Sequence, residues 1–346
     1  MDIDKQSILD QWNEYTLTND NGMTVSALDF GGIITKIVVP DRTGKLENVV
    51  LGYKNYAEYA QNPNFFGALV GRVAGRIQDA AFELDGRTYS LETNDGDNHL
   101  HGGSNGFHQV IWEVEPFQTV DAVGLKLTHQ SADGDSGYPG NVAIAVTYTL
   151  TNNNEFSIDY WANTDKTTPL TMTNHSYFNL SGDLKTTVHD HEVTMDSDSF
   201  VELDENLIPT GEKLHVSGTT FDFRSPRKLG EGLEQDAVQH KVAGNGYDHY
   251  FLFNNKKKTE NVIAKDGASG RTLTITTNQP GVVMYTGNGL DESIELGESQ
   301  SGKYLGVCFE TQASPASLHH EGFPSVVLEA ETTYNKRTVF SFGVES

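Results

Sequence analysis

VAIAVTYTL, Val142 to Leu150, reads as a strand: Val142, Ile144, Val146, Tyr148 and Leu150 share one face, because side chains alternate across a strand with period two. Smaller residues fill the other face. A turn, Thr151-Asn-Asn-Asn154, follows, and then a second run, FSIDYWAN over 156–163. The pair predicts an antiparallel hairpin with one buried face. Short runs of the same kind recur: GIITKIVVP (32–40), AAFELDGRTYSL (80–91), VIWEVEPF (110–117), GLKLTHQ (124–130), TLTITT (272–277), GVVMYTG (281–287), YLGVCFET (304–311) and TVFSFGV (338–344). Only QWNEYTL (11–17), NYAEYAQN (55–62) and LGEGLEQ (229–235) suggest helix.

The 34 glycines are spread through the turns, with no Pro- or Ser-rich hinge and no repeat. The expectation is an all-β chain, a large antiparallel β-sandwich with few short helices, built as one domain over residues 1–346. Apolar residues at 36%, with 17 Phe and 14 Tyr, supply enough material for a core. Lys256-Lys257-Lys258 reads as a solvated hairpin tip.

Charge narrows the function. Lys and Arg number 24 against 48 Asp and Glu, a net −24. Such a surface repels phosphate backbones and anionic lipid, so neither nucleic acid nor membrane is an expected partner. The start, MDIDKQSILDQWNEYTL, lacks a basic stretch and apolar core, and no run reaches the ~20 apolar residues needed to cross a bilayer. The single cysteine, Cys308, cannot form an internal disulfide. A cytoplasmic protein is expected. Cys308 lies in an apolar run and reads as buried and structural.

NHLHGG, 98–103, offers two histidines. On a continuous strand His99 and His101 would point the same way, which suits a metal with His175, His249 or Glu310 completing it. The rest of the sequence lacks a second tight cluster: His189-Asp190-His191 sits in a polar stretch, and His319-His320 would point apart. GGSNG (102–106) matches a nucleophile elbow at Ser104, but the residues after it, FHQVIWEVEPF, read as strand rather than helix, so a glycine turn is expected. More telling are ionisable or polar residues inside core-like runs: Arg72 and Arg76 in GALVGRVAGRI, Asn174, His175 and Tyr177 in PLTMTNHSYFNL, Asp248 and His249 in GYDHYF, and Glu310 ending YLGVCFE. Charged groups are rarely buried unless paired or functional, and together these suggest a polar pocket on a sandwich face.

These segments, with DGDSGYPGN (133–141) and QPGVVMYTGNG (279–289), in this order from about Thr16 to Phe342, resemble the aldose 1-epimerases, the galactose mutarotases. The resemblance implies a galactose mutarotase-like sandwich with an open sugar cleft, no cofactor and no metal. It implies interconversion of the α and β anomers of a monosaccharide such as galactose or glucose, with His175 as general acid and Glu310 as general base. It places His101 near the sugar ring oxygen and Arg76 and Asp248 on sugar hydroxyls. Gln279 matches a cleft glutamine of some members, and Gly75 stands where some relatives carry asparagine. No role passes to His99. A monomer or homodimer is expected.

Opening the hemiacetal needs one group to remove the C1 hydroxyl proton and another to protonate the ring oxygen. This chemistry would benefit from a Glu310 pKa raised by burial and from carboxylates such as Asp248 holding His175 charged. The alternatives are a mutarotase for maltose or another aldose, a non-catalytic sugar-binding sandwich, and a glycoside hydrolase using Asp248 and Glu310.

Overall fold

Strands dominate the computed structural model, which describes residues 1–254 and 260–345; the Lys256–Lys258 reading lies outside them. Val142–Thr151 and Glu155–Thr164 form the expected hairpin, with Val146 opposite Tyr160, Tyr148 opposite Ile158 and Leu150 opposite Phe156. Burial along Val142–Thr151 alternates without a break. The hairpin lies inside a nine-stranded antiparallel sheet, flanked by Ala122–Ser131 on one side and Thr333–Val344 on the other. Its inner face meets a six-stranded sheet, and one apolar cluster takes Val146, Ile158 and Phe340 from the first and Phe251, Met284 and Phe309 from the second. Strands of a five-stranded N-terminal sheet add Leu17, Val25 and Ile37 to the same cluster. The fold is the expected all-β sandwich. Among the described residues no helix is long and apolar enough to cross a membrane.

QWNEYTL is not the helix its composition suggests. Trp12–Thr18 is a strand, held between Asp2–Ile8 and Thr24–Leu28. Seven residues are too few for a helix to stand on local preference, and two neighbouring strands supply the ladder that Tyr15, Thr16 and Thr18 favour. NYAEYAQN does form a turn of 3₁₀ helix at Tyr56–Ala60, where the Asn55 side chain accepts from the Ala57 N–H. LGEGLEQ opens with the short helix Leu229–Leu233; a second, Val238–Val242, has no periodic signal to announce it.

The six-stranded sheet positions the site. Its order is Tyr177–Phe178, Val307–Gln312, Gly281–Tyr285, Asp248–Leu252, Ser199–Leu203, Pro209–His215. Every residue of Val307–Gln312 is buried. Val307 and Phe309 enter the apolar cluster, so by alternation Cys308, Glu310 and Gln312 point to the opposite face. That face is covered by turns, those carrying Phe65, Gly75 and His101 coming from the first half of the chain.

Candidate active site

The roofed face holds a cavity of about 510 Å³ lined by Arg76, His101, His175, Asp248, Glu310 and Gly75, among others. Six of the seven sequence-predicted site residues therefore converge, from five separate stretches of chain.

His175 sits on a tight bend between the two-residue strands Thr173–Asn174 and Tyr177–Phe178. The flanking residues make that bend. Asn174 Oδ1 accepts from the Ser176 N–H and hydroxyl at 3.1 and 2.7 Å, the local turn that Asn side chains favour. Asn174 also donates to the Gly67 carbonyl at 2.8 Å. The His175 N–H donates to the Ala68 carbonyl, and its own carbonyl accepts from the Gly67 N–H. The imidazole is then gripped at both nitrogens by one strand: Nε2 lies 3.5 Å from Glu310 Oε1 and Nδ1 lies 3.5 Å from Cys308 Sγ.

His101 enters from a turn. The strand His99–Leu100 ends there, and His101 takes a left-handed φ of 53°. This overturns the idea that His99 and His101 share a face, since one left-handed residue breaks the period of two. Gly75 holds His101 twice: the Gly75 carbonyl accepts its N–H at 3.1 Å, and the Gly75 N–H donates to its Nδ1 at 3.0 Å. A neutral His101 therefore carries its proton on Nε2. The next residue must be glycine, for Gly102 has φ +88° and a Cβ there would lie 1.9 Å from the Gly71 carbonyl oxygen. His99 instead points away, with Nδ1 2.7 Å from the Glu92 carbonyl and its ring edge against Tyr138. The metal pairing of His99 with His101 is not formed.

Arg76 and Asp248 face each other across the cleft floor, with Arg76 Nη1 3.9 Å from Asp248 Oδ2. Arg76 Nε also binds Asp95 at 2.6 Å, a partner that nothing in NDGDN announces. Gln279 is a correction: buried outside the cavity wall, it donates to the Tyr334 hydroxyl and the Met172 carbonyl. It precedes the Gly281–Tyr285 strand, and the cavity-facing residue of that strand opposite Glu310 is Val283. Gln312, two along from Glu310, does line the cavity; period two from Glu310 would have found it.

The remaining candidates are structural. Arg72 is spent on the carbonyls of Ser131, Ala132, Pro139 and Gly140. His249 turns into the core, with Nε2 3.0 Å from Gln239 Oε1 and its ring against Phe221. Ser104 is exposed on a turn, as expected of a glycine loop. Phe65, which the sequence does not single out, lines the cavity and touches the rings of His101, His108 and His175.

Burial controls the charges. It pushes Glu310 well above the usual carboxylate range; Asp248 adds to that and Arg76 opposes it. Asp248 is raised by burial too, against the pull of Arg76. His175 is pushed down to about 4 by burial, and His101 falls well below the imidazole range, again by burial, with His175 and Arg76 adding to it. The expectation that Asp248 keeps His175 charged fails: burial lowers the ring's pKa, and the group that opposes it is the His175 backbone carbonyl rather than Asp248. Burial therefore disfavours the charged form of both partners, the His175 imidazolium and the Glu310 carboxylate. His101, His175 and Glu310 carry polar atoms within 4.8 Å of one another, a grouping that could also hold a metal ion.

A family model described as aldose 1-epimerase matches residues 13–341. A protein named galactose mutarotase from Bos taurus is 42% identical over 334 residues, 96% of this chain and 94% of its own. One named maltose epimerase from Levilactobacillus brevis is 35% identical over 321 residues, 92% and 91% of the two chains. Among solved structures, the galactose 1-epimerase from Lactobacillus acidophilus superposes with a TM-score of 0.88 at 29% identity, covering 100% of this chain and 99% of that one.

Proposed function

The chain belongs to the aldose 1-epimerase family and is an aldose 1-epimerase; from that premise we propose that it interconverts the anomers of D-galactose and D-glucose with one proton held between His175 and Glu310. The observation that carries this reading is the buried 3.5 Å approach of His175 Nε2 to Glu310 Oε1. A purely sugar-binding sandwich has no need of such a pair.

The proposed cycle starts with the proton on Glu310, the form that burial favours. Its transfer to His175 Nε2 produces an imidazolium and a carboxylate, the acid and the base that ring opening requires. Glu310 takes the proton of the C1 hydroxyl while His175 Nε2–H protonates the ring oxygen. The C1–O5 bond breaks and an aldehyde forms. Rotation about C1–C2 presents the other carbonyl face. The reverse transfers close the ring as the opposite anomer, and the pair regains its starting proton count. His101, with Nδ1 tied to Gly75, presents Nε2–H toward the ring oxygen. Arg76 and Asp248 hold hydroxyls and supply orientation. Gly75 contributes through its grip on His101. Gln279 has no place in this scheme.

The cleft also supports a second substrate reading. Its cavity adjoins another of about 390 Å³ through Arg76, Glu205 and Leu207, more room than one pyranose fills. Together with the likeness to a protein named maltose epimerase, this favours acceptance of a reducing disaccharide. The chain is proposed to act as a single domain, monomeric or homodimeric, in the cytoplasm. The test is polarimetry on freshly dissolved α-D-galactose, α-D-glucose and maltose. Acceleration over the buffer blank supports the reading, and a rate equal to the blank for all three sugars defeats it.

A further inference from the structure

Cys308 and Glu310 are two residues apart on one face of Val307–Gln312, and His175 spans the gap between them. The cysteine is fully buried and has no disulfide partner. We propose that Cys308 is a positioning residue: its sulfur accepts the Nδ1–H of His175, which leaves Nε2 as the nitrogen that receives the working proton from Glu310. This rests on the role given to His175 above.

The geometry makes the choice of nitrogen matter. A neutral imidazole carries one N–H, and the partner of one nitrogen decides what the other can do. Were the proton on Nε2, a second proton could enter only at Nδ1, which faces the sulfur and not the sugar. With Nδ1–H on Cys308, Nε2 offers a lone pair to the Glu310 acid and then delivers that proton to the ring oxygen. No proton leaves or joins Cys308 in this cycle. Burial, with Glu310 and Asp248 nearby, raises the thiol far above its ordinary range, so it stays S–H throughout.

Sulfur also suits the task by being a weak acceptor. A carboxylate at that position would stabilise the imidazolium and blunt it as an acid. Other groups facing His175 are the His101, Phe65 and Tyr285 rings, with Tyr177 beside it on its own segment. His108 lies close enough to lower its pKa further. None of these rings offers Nδ1 a hydrogen bond; the His175 backbone carbonyl accepts from the ring, and the Glu310 acid faces Nε2, so Cys308 adds to a preference for Nδ1–H that these groups share.

The experiment compares Cys308→Ala, Cys308→Ser and His175→Asn with the parent, using kcat, KM, the pH profile of kcat, and ¹⁵N shifts of the His175 ring. In Cys308→Ala, kcat is expected to fall about tenfold with KM within about twofold, and the ring to become a tautomer mixture. In Cys308→Ser, a stronger acceptor keeps Nδ1–H, retains kcat within about threefold, and moves the acid limb up by about half a unit. Parent-like kcat and ring shifts in folded Cys308→Ala overturn the proposal. If that variant does not fold, an unmoved acid limb in Cys308→Ser overturns it instead. His175→Asn separates the two ideas: its inactivity beside a parent-like Cys308→Ala sinks only the cysteine role, whereas an active His175→Asn sinks the role of His175 itself.

Discussion

Two strands of this sandwich obey the same alternation and come to different ends. Val142–Thr151 buries every second residue and leaves the others half-exposed. Val307–Gln312 buries all six. In the first, the alternate face meets water, so Ala143, Ala145, Thr147 and Thr149 stand there. In the second, the alternate face is covered by turns around Phe65, Gly75, His101 and His175, so Cys308, Glu310 and Gln312 are buried there. A polar group on the first face costs nothing. On the second it needs a partner, and burial shifts its pKa. Chemistry gathers where a sheet's second face is roofed, and the roof comes from distant sequence.

This contrast predicts a division of labour that mutations can break. The largest effect is expected at the roofed strand and its partner: Glu310→Gln and His175→Asn each lower kcat by about 10³-fold, within the range for general acid–base groups, with little change in melting temperature. Near-parental turnover by either variant, measured by polarimetry, removes that residue from the mechanism. The opposite pattern is expected at the water-faced strand. Ile144→Ala empties part of the core and costs about 2–5 kcal/mol in denaturant unfolding, while kcat of the folded fraction stays within about twofold. A large loss of kcat there would mean the two strands are not separable.

Acid sharpens the comparison with the smallest effect per residue. Burial holds His108 and His175 down to about 4, below the ordinary imidazole value. Below about pH 6.5 the unfolded chain therefore binds protons that the folded chain refuses, and stability falls as the pH drops from there toward 4. Above that window the contribution is fully present. Each histidine is expected to account for about 2 kcal/mol between pH 7 and 5. Hydrogen exchange should show the turns carrying these histidines losing protection before Val142–Thr151. Equal loss in both places would locate the acid sensitivity elsewhere.

Much of the candidate site is legible in the sequence. His175, Glu310, Arg76 and Asp248 are ionisable groups lodged in core-like runs, and burial of such groups needs a reason. In the folded chain all four line one cleft. The misreadings share a cause. Gln279 matches a cleft position by its motif, yet its side chain is spent on the Met172 carbonyl and on Tyr334, a contact across 55 residues of chain. His99 and His101 look like a pair in isolation, which the resemblance already set aside, and the strand that would align them stops at Leu100. Asp95 gives no signal, because its partner Arg76 reaches it only through the folded turn.

The sequence by itself determined the all-β class, the hairpin at Val142–Thr151 and the residue types of the site, because alternation and turn chemistry are local and recorded in each stretch. Tertiary structure alone decided that Trp12–Thr18 is a strand, that the Gln279 side chain lies outside the cleft, and that burial rather than Asp248 governs the pKa of His175. Those outcomes depend on which distant segments lie against a group and how much water they displace. Neither quantity is set by neighbours along the chain.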